Sequence, residues 1–216
     1  MNRLKRIASY TKGSKVVCDI GCDHAYTLVY AIQEYGVEKG IASDIAVGPL
    51  KNAKKTIEQY HLEDKIQLVL SNGFEKIEDY FDTAILSGMG GILICEILEK
   101  SIQKVHTQKL IIEANSDAYR VREYLFSQNF HITEEDAFYD HNKYYEIMVF
   151  TSGNQEYTQE DIQYGPILLK RKPEAFLKQY QKKRNLLISI LPHIQDEEEK
   201  MTKKKIIQEL EHILKD

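Results

Sequence analysis

Short apolar runs alternate with amphipathic segments through the first 150 residues, and this alternation restricts the possible folds more than any other feature. Five runs have the length and apolar content of buried strands: residues 16–20, 40–45, 66–70, 83–88 and 109–115. Apolar residues recurring every three or four positions predict a helix at 25–35, and Gly48-Pro49 opens a predicted helix that extends to about residue 60. Further helices are expected at about 91–103 and about 117–128. Residues 131–150 have no helical period and predict a closing antiparallel hairpin. The alternation predicts an α/β fold with helices on both faces of a doubly wound, mostly parallel sheet.

The later residues show a different pattern, which divides the chain into an expected sheet domain (1–152) and a helical domain (153–216). Pro173 precedes a run with helical spacing, and Pro192 ends it. A second helical run follows the acidic residues 196–199. The two runs predict an antiparallel, coiled-coil-like hairpin. Because two short helices bury little surface alone, we expect the hairpin to dock on the sheet domain or on a partner.

Charge is distributed unevenly around a formal net charge of −4. Residues 1–15 carry five basic side chains and no acid, and residues 167–190 carry seven basic side chains and one acid. The excess of acid lies between these two basic segments. Two local positive patches suit a polyanionic partner. The alternative is that both are ordinary solvated helix faces.

Several classes of protein are disfavoured by what the sequence lacks. No run approaches the ~18–20 apolar residues of a membrane span. The three cysteines contain no CxxC pair, which favours a reducing, cytoplasmic compartment over a disulfide framework. No HxxxH or HExxH pair suggests a metal site. Neither a GxSxG elbow nor a GxxxxGK[ST] loop is present, which disfavours hydrolase and P-loop readings.

The turn after the first predicted strand reads D-I-G-C-D-H, where a dinucleotide-binding fold would place its phosphate loop. It is not G-x-G-x-x-G, because Asp23 stands where a second glycine would admit a pyrophosphate. The carboxylates of Asp19 and Asp23 repel phosphate and suit a ligand with a positive centre, such as S-adenosylmethionine. The alternative for Asp23 is a cap on the following helix. His24 is suited to positioning a substrate or to proton transfer, with a structural role as the alternative.

Other strand ends fit an adenosine cofactor. Asp44 lies 23 residues after Gly21, and an acid about 20 residues past the glycine turn commonly binds ribose hydroxyls. Asn72 offers an acceptor for an adenine amino group, and Gly73 lets the backbone approach the ring; a plain Asn-Gly turn is the alternative. The glycines in residues 87–91 allow a flat ligand to approach closely.

Taken together, these residues resemble the bacterial tRNA (adenine(22)-N(1))-methyltransferase family over essentially the whole chain. The resemblance is carried by IASY near the start, DIGCDHAY at 19–26, IASDI and GPL within 41–50, GMGG at 88–91, Asn115, and YGPILL at 164–169. The family is a class I S-adenosylmethionine-dependent methyltransferase family, with a Rossmann-like fold and a C-terminal helical domain. It methylates ring nitrogen 1 of adenosine 22 in the tRNA D-arm.

The sequence departs from the family pattern at four places. Cys22 replaces Thr, and Thr27-Leu28 replace a Leu-Pro pair. SNGF at 71–74 replaces Gly-Asp-Gly-Leu, and EAN at 113–115 replaces Gln-Pro-Asn. These changes indicate a divergent member and concern the base-contacting residues more than the reaction.

The resemblance and the residues together predict three groups of site residues. The predicted catalytic residues are Asp23, whose carboxylate would stabilise the cationic product ring, and His24. The predicted cofactor-binding residues are Asp19, Gly21, Asp44, Asn72, Gly73 and Gly88. The predicted substrate-binding residues are Tyr26, Met89, Gly90, Gly91, Asn115, Lys182, Lys183 and Arg184. We expect S-adenosyl-L-methionine as cofactor, no metal and no membrane partner.

The expected partner is tRNA, whose phosphates would be held by residues 1–15 and the 167–190 segment. A monomer is favoured, although the helical tail alone would also suit an oligomerisation element. Two other functions stay open at this point. One is a methyltransferase of the same fold that acts on a small molecule, and the other is an RNA-binding protein that has lost catalysis.

Overall fold

A seven-stranded sheet forms the centre of the computed structural model, which describes residues 2–106 and 108–215. The strands are β1 (Val16–Ile20), β2 (Lys39–Asp44), β3 (Ile66–Leu70), β4 (Thr83–Gly90), β5 (Lys109–Ser116), β6 (Phe130–Asp140) and β7 (Lys143–Ser152). Their order across the sheet is β3-β2-β1-β4-β5-β7-β6. Strands β1 to β5 are parallel, and β7 runs antiparallel to both β5 and β6. The predicted doubly wound α/β fold with its closing hairpin is confirmed.

Helices cover both faces of this sheet. The helices are α1 (Arg3–Ser9), α2 (Tyr26–Tyr35), α3 (Val47–Gln59), α4 (Gly91–Glu99), α5 (Ile102–Val105), α6 (Ala118–Ser127), α7 (Gln159–Tyr164), α8 (Pro166–Arg171), α9 (Glu174–Ile190) and α10 (Glu197–Ile213). Successive residues of a strand point to opposite faces, so Ile85 of β4 packs with α1, α2 and α3, whereas Leu86 packs with α4 and α6. Each face therefore has its own apolar core.

Helix α1 lies in the first basic segment and was not predicted. The Asn2 side chain accepts a hydrogen bond from the Lys5 amide at 2.9 Å and caps its first turn. Ile7 and Ala8 are buried against α2. The segment is therefore a packed helix of the sheet domain rather than a free basic arm.

The helix predicted at about 91–103 is two helices, α4 and α5, which the residues around Ser101 separate. The break lets the Lys104 ammonium donate to the backbone carbonyls of Phe74, at 3.0 Å, and Ile77. These two bonds tie α5 to the loop after β3. The tertiary contacts of Lys104 are not visible in the periodicity of the sequence.

The predicted helical hairpin is formed by α9 and α10, joined by a short 3-10 turn at Leu191–His193. It is antiparallel, because the Lys172 ammonium just before α9 donates to the Lys215 carbonyl just after α10. The hairpin packs on the outer strand β6 through a third apolar cluster. That cluster contains Ala137, Tyr164, Leu168, Phe176, Tyr180, Leu187, Ile207, Leu210 and Ile213. Helices α7 and α8, which were not predicted, join β7 to this hairpin.

A buried ion network joins the sheet to α8. Arg122 of α6 donates from Nε to Glu135 Oε1 (3.0 Å) and from Nη2 to Glu146 Oε2 (2.7 Å). Glu135 Oε2 also accepts from the Ile167 amide at 2.9 Å, in the first turn of α8. A Cβ at Gly165 would lie 2.4 Å from Glu135 Oε1, and its φ is +91°. Glycine is therefore required where YGPILL meets this network.

Candidate functional site

The carboxyl ends of the parallel strands border a pocket of about 230 Å³. Six of the predicted site residues line it: Asp19, Gly21, Asp23, His24, Tyr26 and Gly88. They come from the end of β1, the turn after it and the start of α2, and from the end of β4, which is the neighbour of β1 in the sheet. The structure thus brings together residues that are up to 69 positions apart in the sequence.

The turn between β1 and α2 has an unusual backbone. Gly21, Asp23 and Ala25 all have positive φ, of 75°, 46° and 57°. The amides of Gly21 and Cys22 donate to the Ser43 carbonyl at 2.8 and 3.0 Å, which fixes the turn on β2. Left-handed conformations at two non-glycine residues cost free energy and are often found at functional sites.

The side chains of Asp23 and His24 face solvent at this turn. They are 69% and 48% exposed, and His24 Nε2 lies 3.7 Å from Asp23 Oδ1. The alternative reading of Asp23 as a helix cap is wrong, because the N-cap of α2 is Ala25 and no side chain caps it. The Asp23 carboxylate is therefore available to a ligand in the pocket.

Asp19 lies at the floor of the same pocket, where it is buried. Burial raises the pKa of Asp19 to about 7, and the neighbouring Asp44 carboxylate adds to the increase. Asp44 itself accepts a hydrogen bond from the Ala46 amide at 2.9 Å. A cation bound beside Asp19 would favour the ionised carboxylate, so the floor of the pocket is suited to a positive group.

Three exposed apolar side chains lie around Asp44, and the sequence reading missed them. Ile45 is 69% exposed directly after Asp44, Val47 opens α3, and Leu70 is the strand partner of Asp44 on β3. Adjacent exposed apolar side chains commonly mark a binding surface. The Asp-Ile pair at the strand end was visible in the sequence, but its exposure was not.

Asn72 and Gly73 follow β3 and lie near Asp44, outside the residues that line the pocket. The Ser71 amide donates to the Asp44 carbonyl at 3.0 Å, and Asn72 Nδ2 donates to Glu75 Oε1 at 2.7 Å. A Cβ at Gly73 would lie 2.8 Å from Ile97 Cγ2. Packing against α4 is therefore a sufficient reason for glycine at this position.

The glycine-rich segment at the end of β4 (residues 87–91) has different roles at its two ends. Strand β4 continues to Gly90, with register shifts on either side of Met89, whose side chain lies beside Gly21. Gly88 has a φ of +78° and lines the pocket. Gly91 is buried, and a Cβ there would lie 2.4 Å from the Asp117 carbonyl oxygen. This position of Gly91 indicates a packing role rather than the predicted substrate contact.

Arg3 and Glu113 belong to the site and were not predicted as site residues. Arg3 lines the pocket, and its Nη1 donates to Glu113 Oε2 at 3.0 Å. The same oxygen accepts from the Gly88 amide at 3.1 Å, while Oε1 is buried without a hydrogen-bond partner among the described residues. Burial raises the pKa of Glu113, and Arg3 opposes the increase. No sequence signal links residues that are 110 positions apart.

The basic segment at 1–15 was expected to hold phosphates, and the structure corrects this expectation for three of its five cations. Arg3, Lys5 and Arg6 pair with Glu113, Glu34 and Asp136 at 3.0, 2.6 and 2.5 Å. Carboxylates that are distant in the sequence therefore neutralise them, which the local excess of basic residues did not indicate.

Asn115 stands between this pocket and a second one of about 280 Å³. Its Nδ2 donates to the Gly88 carbonyl at 2.6 Å, and its Oδ1 accepts from Lys143 Nζ at 2.8 Å. Of the three predicted cations on α9, only Lys183 lines the second pocket. Lys182 is exposed, and the Arg184 guanidinium bonds Asn185 Oδ1.

Residues 2–106 and 108–215 contain neither a membrane-spanning helix nor a cluster of metal ligands. No helix within these ranges has both the length and the apolar composition needed to cross a membrane. Within the same ranges, no group of three or more His, Cys, Asp or Glu side chains is arranged to hold a metal ion.

Comparison with known proteins identifies relatives that match most of the chain. The family model of TrmK, tRNA (adenine(22)-N(1))-methyltransferase, matches residues 17–215. A tRNA (adenine(22)-N(1))-methyltransferase of Bacillus subtilis (strain 168) is 32% identical over 186 residues, which cover 82% of this chain and 78% of that protein.

Solved structures extend the similarity to the whole fold. Streptococcus pneumoniae Sp1610 in complex with S-adenosyl-L-methionine has a TM-score of 0.91 and 30% identity, with all of both chains covered. M. capricolum TrmK in complex with S-adenosyl-homocysteine has a TM-score of 0.88 and 26% identity, with 98% of this chain and 96% of that chain covered. The resemblance found in the sequence is confirmed: the chain belongs to the tRNA (adenine(22)-N(1))-methyltransferase family.

Proposed function

We propose that this protein transfers the methyl group of S-adenosylmethionine to ring nitrogen 1 of adenosine 22 in the tRNA D-arm. The observation that carries the proposal is the pocket at the carboxyl ends of β1 and β4. The buried Asp19 carboxyl and the exposed Asp23 carboxylate both line this pocket. The family to which the chain belongs supports the same function. Bound S-adenosylmethionine supplies the electrophilic methyl group.

The residues present fit this cofactor. Asp19 offers a carboxylate to its ammonium or sulfonium group, and the acidic turn repels the phosphates of NAD or ATP. Asp44 lies where ribose hydroxyls would be bound, with Ile45 and Leu70 as apolar surfaces for an adenine ring. Asn72 offers hydrogen bonds at the ring edge, and Gly21 and Gly88 let the ligand approach the backbone.

Catalysis at adenine nitrogen 1 needs alignment more than a strong base. The ring nitrogen keeps its lone pair at neutral pH, so holding the nitrogen, methyl carbon and sulfur in line lowers the barrier. The product ring is cationic, and the Asp23 carboxylate stabilises that developing charge. His24, 3.7 Å away, positions Asp23 or the base. Tyr26, whose ring stacks near His24 at 6.0 Å, and Met89 form the surface that receives the base.

The rest of the tRNA contacts the helical part of the chain. We assign residues 1–152 to cofactor binding and catalysis, and residues 153–216 to holding the RNA body. Lys182, Lys183 and Arg184 on α9 contact phosphates, because they lie on the helix that borders the second pocket. The buried free thiols of Cys18 and Cys22 suit the cytoplasm as the site of action.

The test is methylation of a defined RNA. Unmodified tRNA transcript is incubated with the protein and labelled S-adenosylmethionine, and digested nucleosides are analysed by mass spectrometry. We expect one 1-methyladenosine per tRNA, lost when adenosine 22 is replaced by guanosine. Asp23→Ala should lower the rate about 100-fold with unchanged folding, because this side chain is exposed and caps no helix.

Three results would contradict the proposal. A protein that neither binds nor methylates the tRNA would favour the small-molecule enzyme. Binding of tRNA without any methylation would favour the RNA-binding protein without catalysis. Wild-type activity of Asp23→Ala would remove Asp23 from the mechanism.

A further inference from the structure

The second pocket lies directly beside the proposed active site. Gly88 lines the first pocket and accepts the 2.6 Å hydrogen bond from Asn115, which lines the second. We name the second one the tyrosine pocket, after the three rings in its wall. The polar and aromatic residues that line it include Asn115, Asp117, Tyr119, Tyr144, Tyr180 and Lys183. One hydrogen bond therefore joins the linings of the two pockets.

Both parts of the chain build the tyrosine pocket. Asn115, Asp117 and Tyr119 come from the end of β5 and the start of α6, and Tyr144 comes from β7. Tyr180 and Lys183 come from α9 of the helical hairpin. A ligand here contacts the catalytic sheet and the proposed RNA-holding helices at once.

The walls of the tyrosine pocket are aromatic above a charged, buried floor. Arg122 and Glu146 line the pocket, and their ion pair is almost fully buried. Tyr144 donates to Glu146 Oε1 at 2.9 Å, so its ring is held in place. The Tyr119 ring is half-buried, and its hydroxyl makes no hydrogen bond with the residues the structure describes. The Arg120 guanidinium lies 5.3 Å from the centroid of the Tyr119 ring. No aromatic side chain of residues 2–106 and 108–215 stacks on this ring, so it can receive a base.

Polar groups without an internal partner surround these rings. Within residues 2–106 and 108–215, the side chains of Asp117 and Gln163 make no hydrogen bond, and both line the pocket. Asp117 has a φ of +54°, a strained conformation, and its backbone is packed on Gly91. Aromatic faces together with free donors and acceptors are what a nucleobase uses for stacking and edge recognition. Lys183 at the same pocket suits a phosphate.

We propose that the tyrosine pocket binds a second nucleobase of the substrate, from a nucleotide adjacent to adenosine 22 that is also turned out of the D-arm. The inference rests on the proposed function. An adjacent nucleotide is the occupant that the geometry favours, because it is covalently joined to the base in the first pocket. Tyr119 supplies the stacking face, and Asp117 and Gln163 read the base edge.

The first test compares two substitutions of one ring. Tyr119→Ala should weaken binding of unmodified tRNA about tenfold, whereas Tyr119→Phe, which keeps the stacking face, should stay within about twofold of wild type. Calorimetry with S-adenosyl-homocysteine should give wild-type affinity for both variants. Tyr80→Ala is the matched control, because Tyr80 is 72% exposed next to a surface at the amino ends of the strands. Equal tRNA affinity of Tyr119→Ala and wild type would overturn the proposal.

The second test identifies the base. Transcripts that each lack one base beside position 22 are bound to wild type and to Tyr119→Ala. At one adjacent position, loss of the base should weaken tRNA binding by the wild-type protein about tenfold. The tRNA affinity of Tyr119→Ala should not change with the same loss, because this variant already lacks the ring on which the base stacks. Additive losses at every position would overturn the proposal. Failure of the proposed function is distinguishable, since wild type would then form no 1-methyladenosine in intact tRNA.

Discussion

At the scale of single residues, Asp19 links the fold to the charge of the ligand. In the free protein its pKa is raised to about 7, against an ordinary value of about 3.9, because the carboxyl is buried near Asp44. Its ionisation therefore costs folding free energy, so its contribution favours the folded state less as pH rises from about 4 to 7. A bound cation would offset this cost, because it stabilises the ionised carboxylate of Asp19.

Binding of S-adenosylmethionine should release a proton from Asp19. Since the cation lowers the pKa of Asp19, affinity should fall as pH drops below 7, by up to about tenfold per pH unit. Calorimetry at pH 7 in two buffers of different ionisation enthalpy measures the released proton. Asp19→Asn should abolish the dependence on buffer. Identical heats for wild type in both buffers would show that Asp19 does not ionise on binding.

Sequence reasoning predicted the residues of the turn after β1 but not the ion pair that lies beside them in the structure. Asp19, Asp23 and His24 were identified because a strand end and a glycine turn are local signals. The Arg3–Glu113 pair joins the first helix to the fifth strand, and Glu113 was noted only as a departure from the family pattern. Contacts across 110 residues depend on the tertiary fold, which periodicity does not encode.

At the scale of elements, strands and helices were predicted accurately where a continuous stretch of sequence carried the pattern. Strands β1 and β3 begin and end where the apolar runs do, since buried parallel strands are continuous apolar segments. Helix α1 was not predicted because only Ile7 and Ala8 are buried in it, and two adjacent apolar residues among basic ones show no helical period. Helices α7 and α8 have six residues each, too few for a period to be recognised.

Arg3→Ala should destabilise the protein through α1, by about 3 kcal/mol, because it leaves the buried Glu113 carboxylate without its cation. Lys5→Ala is the matched control on the same helix. Its pair with Glu34 is exposed, so the loss of stability should be much smaller than for Arg3→Ala. Urea unfolding measures both.

The double variant Arg3→Ala with Glu113→Gln separates charge from packing. It should recover part of the loss, since no buried charge then lacks a partner. Similar stability of Arg3→Ala and Lys5→Ala would show that the Arg3–Glu113 pair does not hold α1 on the sheet.

At the scale of the whole molecule, the ion network of Arg122, Glu135 and Glu146 connects the two parts of the chain. Glu135 accepts backbone hydrogen bonds from α8, and Tyr144 on Glu146 borders the tyrosine pocket. The hairpin is therefore attached to the sheet through buried polar groups as well as apolar ones. Its sequence pattern predicted the two helices, but the charged residues that attach it were indistinguishable from surface charges.

Reversing the charges of Lys182, Lys183 and Arg184 to Glu should weaken tRNA binding and reduce the slope of log affinity against log salt by about three. The affinity for S-adenosyl-homocysteine should not change. The matched control reverses Lys39, Lys65 and Lys100, which are exposed and lie outside both basic segments. Filter binding across a salt series measures the slope. Equal slopes for the two triple variants would refute a contact of α9 with the tRNA backbone.

Helix α1 also has a consequence for how the chain matures on the ribosome. It is synthesised before every strand, and its packing on α2 and the pair of Lys5 with Glu34 are available early. Three other carboxylates that hold it, Glu113, Asp136 and Asp140, follow 110 to 137 positions later. A helix of seven residues is not stable in isolation. The ion pairs of Arg3 and Arg6 can therefore be complete only after β6 has been synthesised, and the wall that Arg3 gives to the pocket is among the last parts to form.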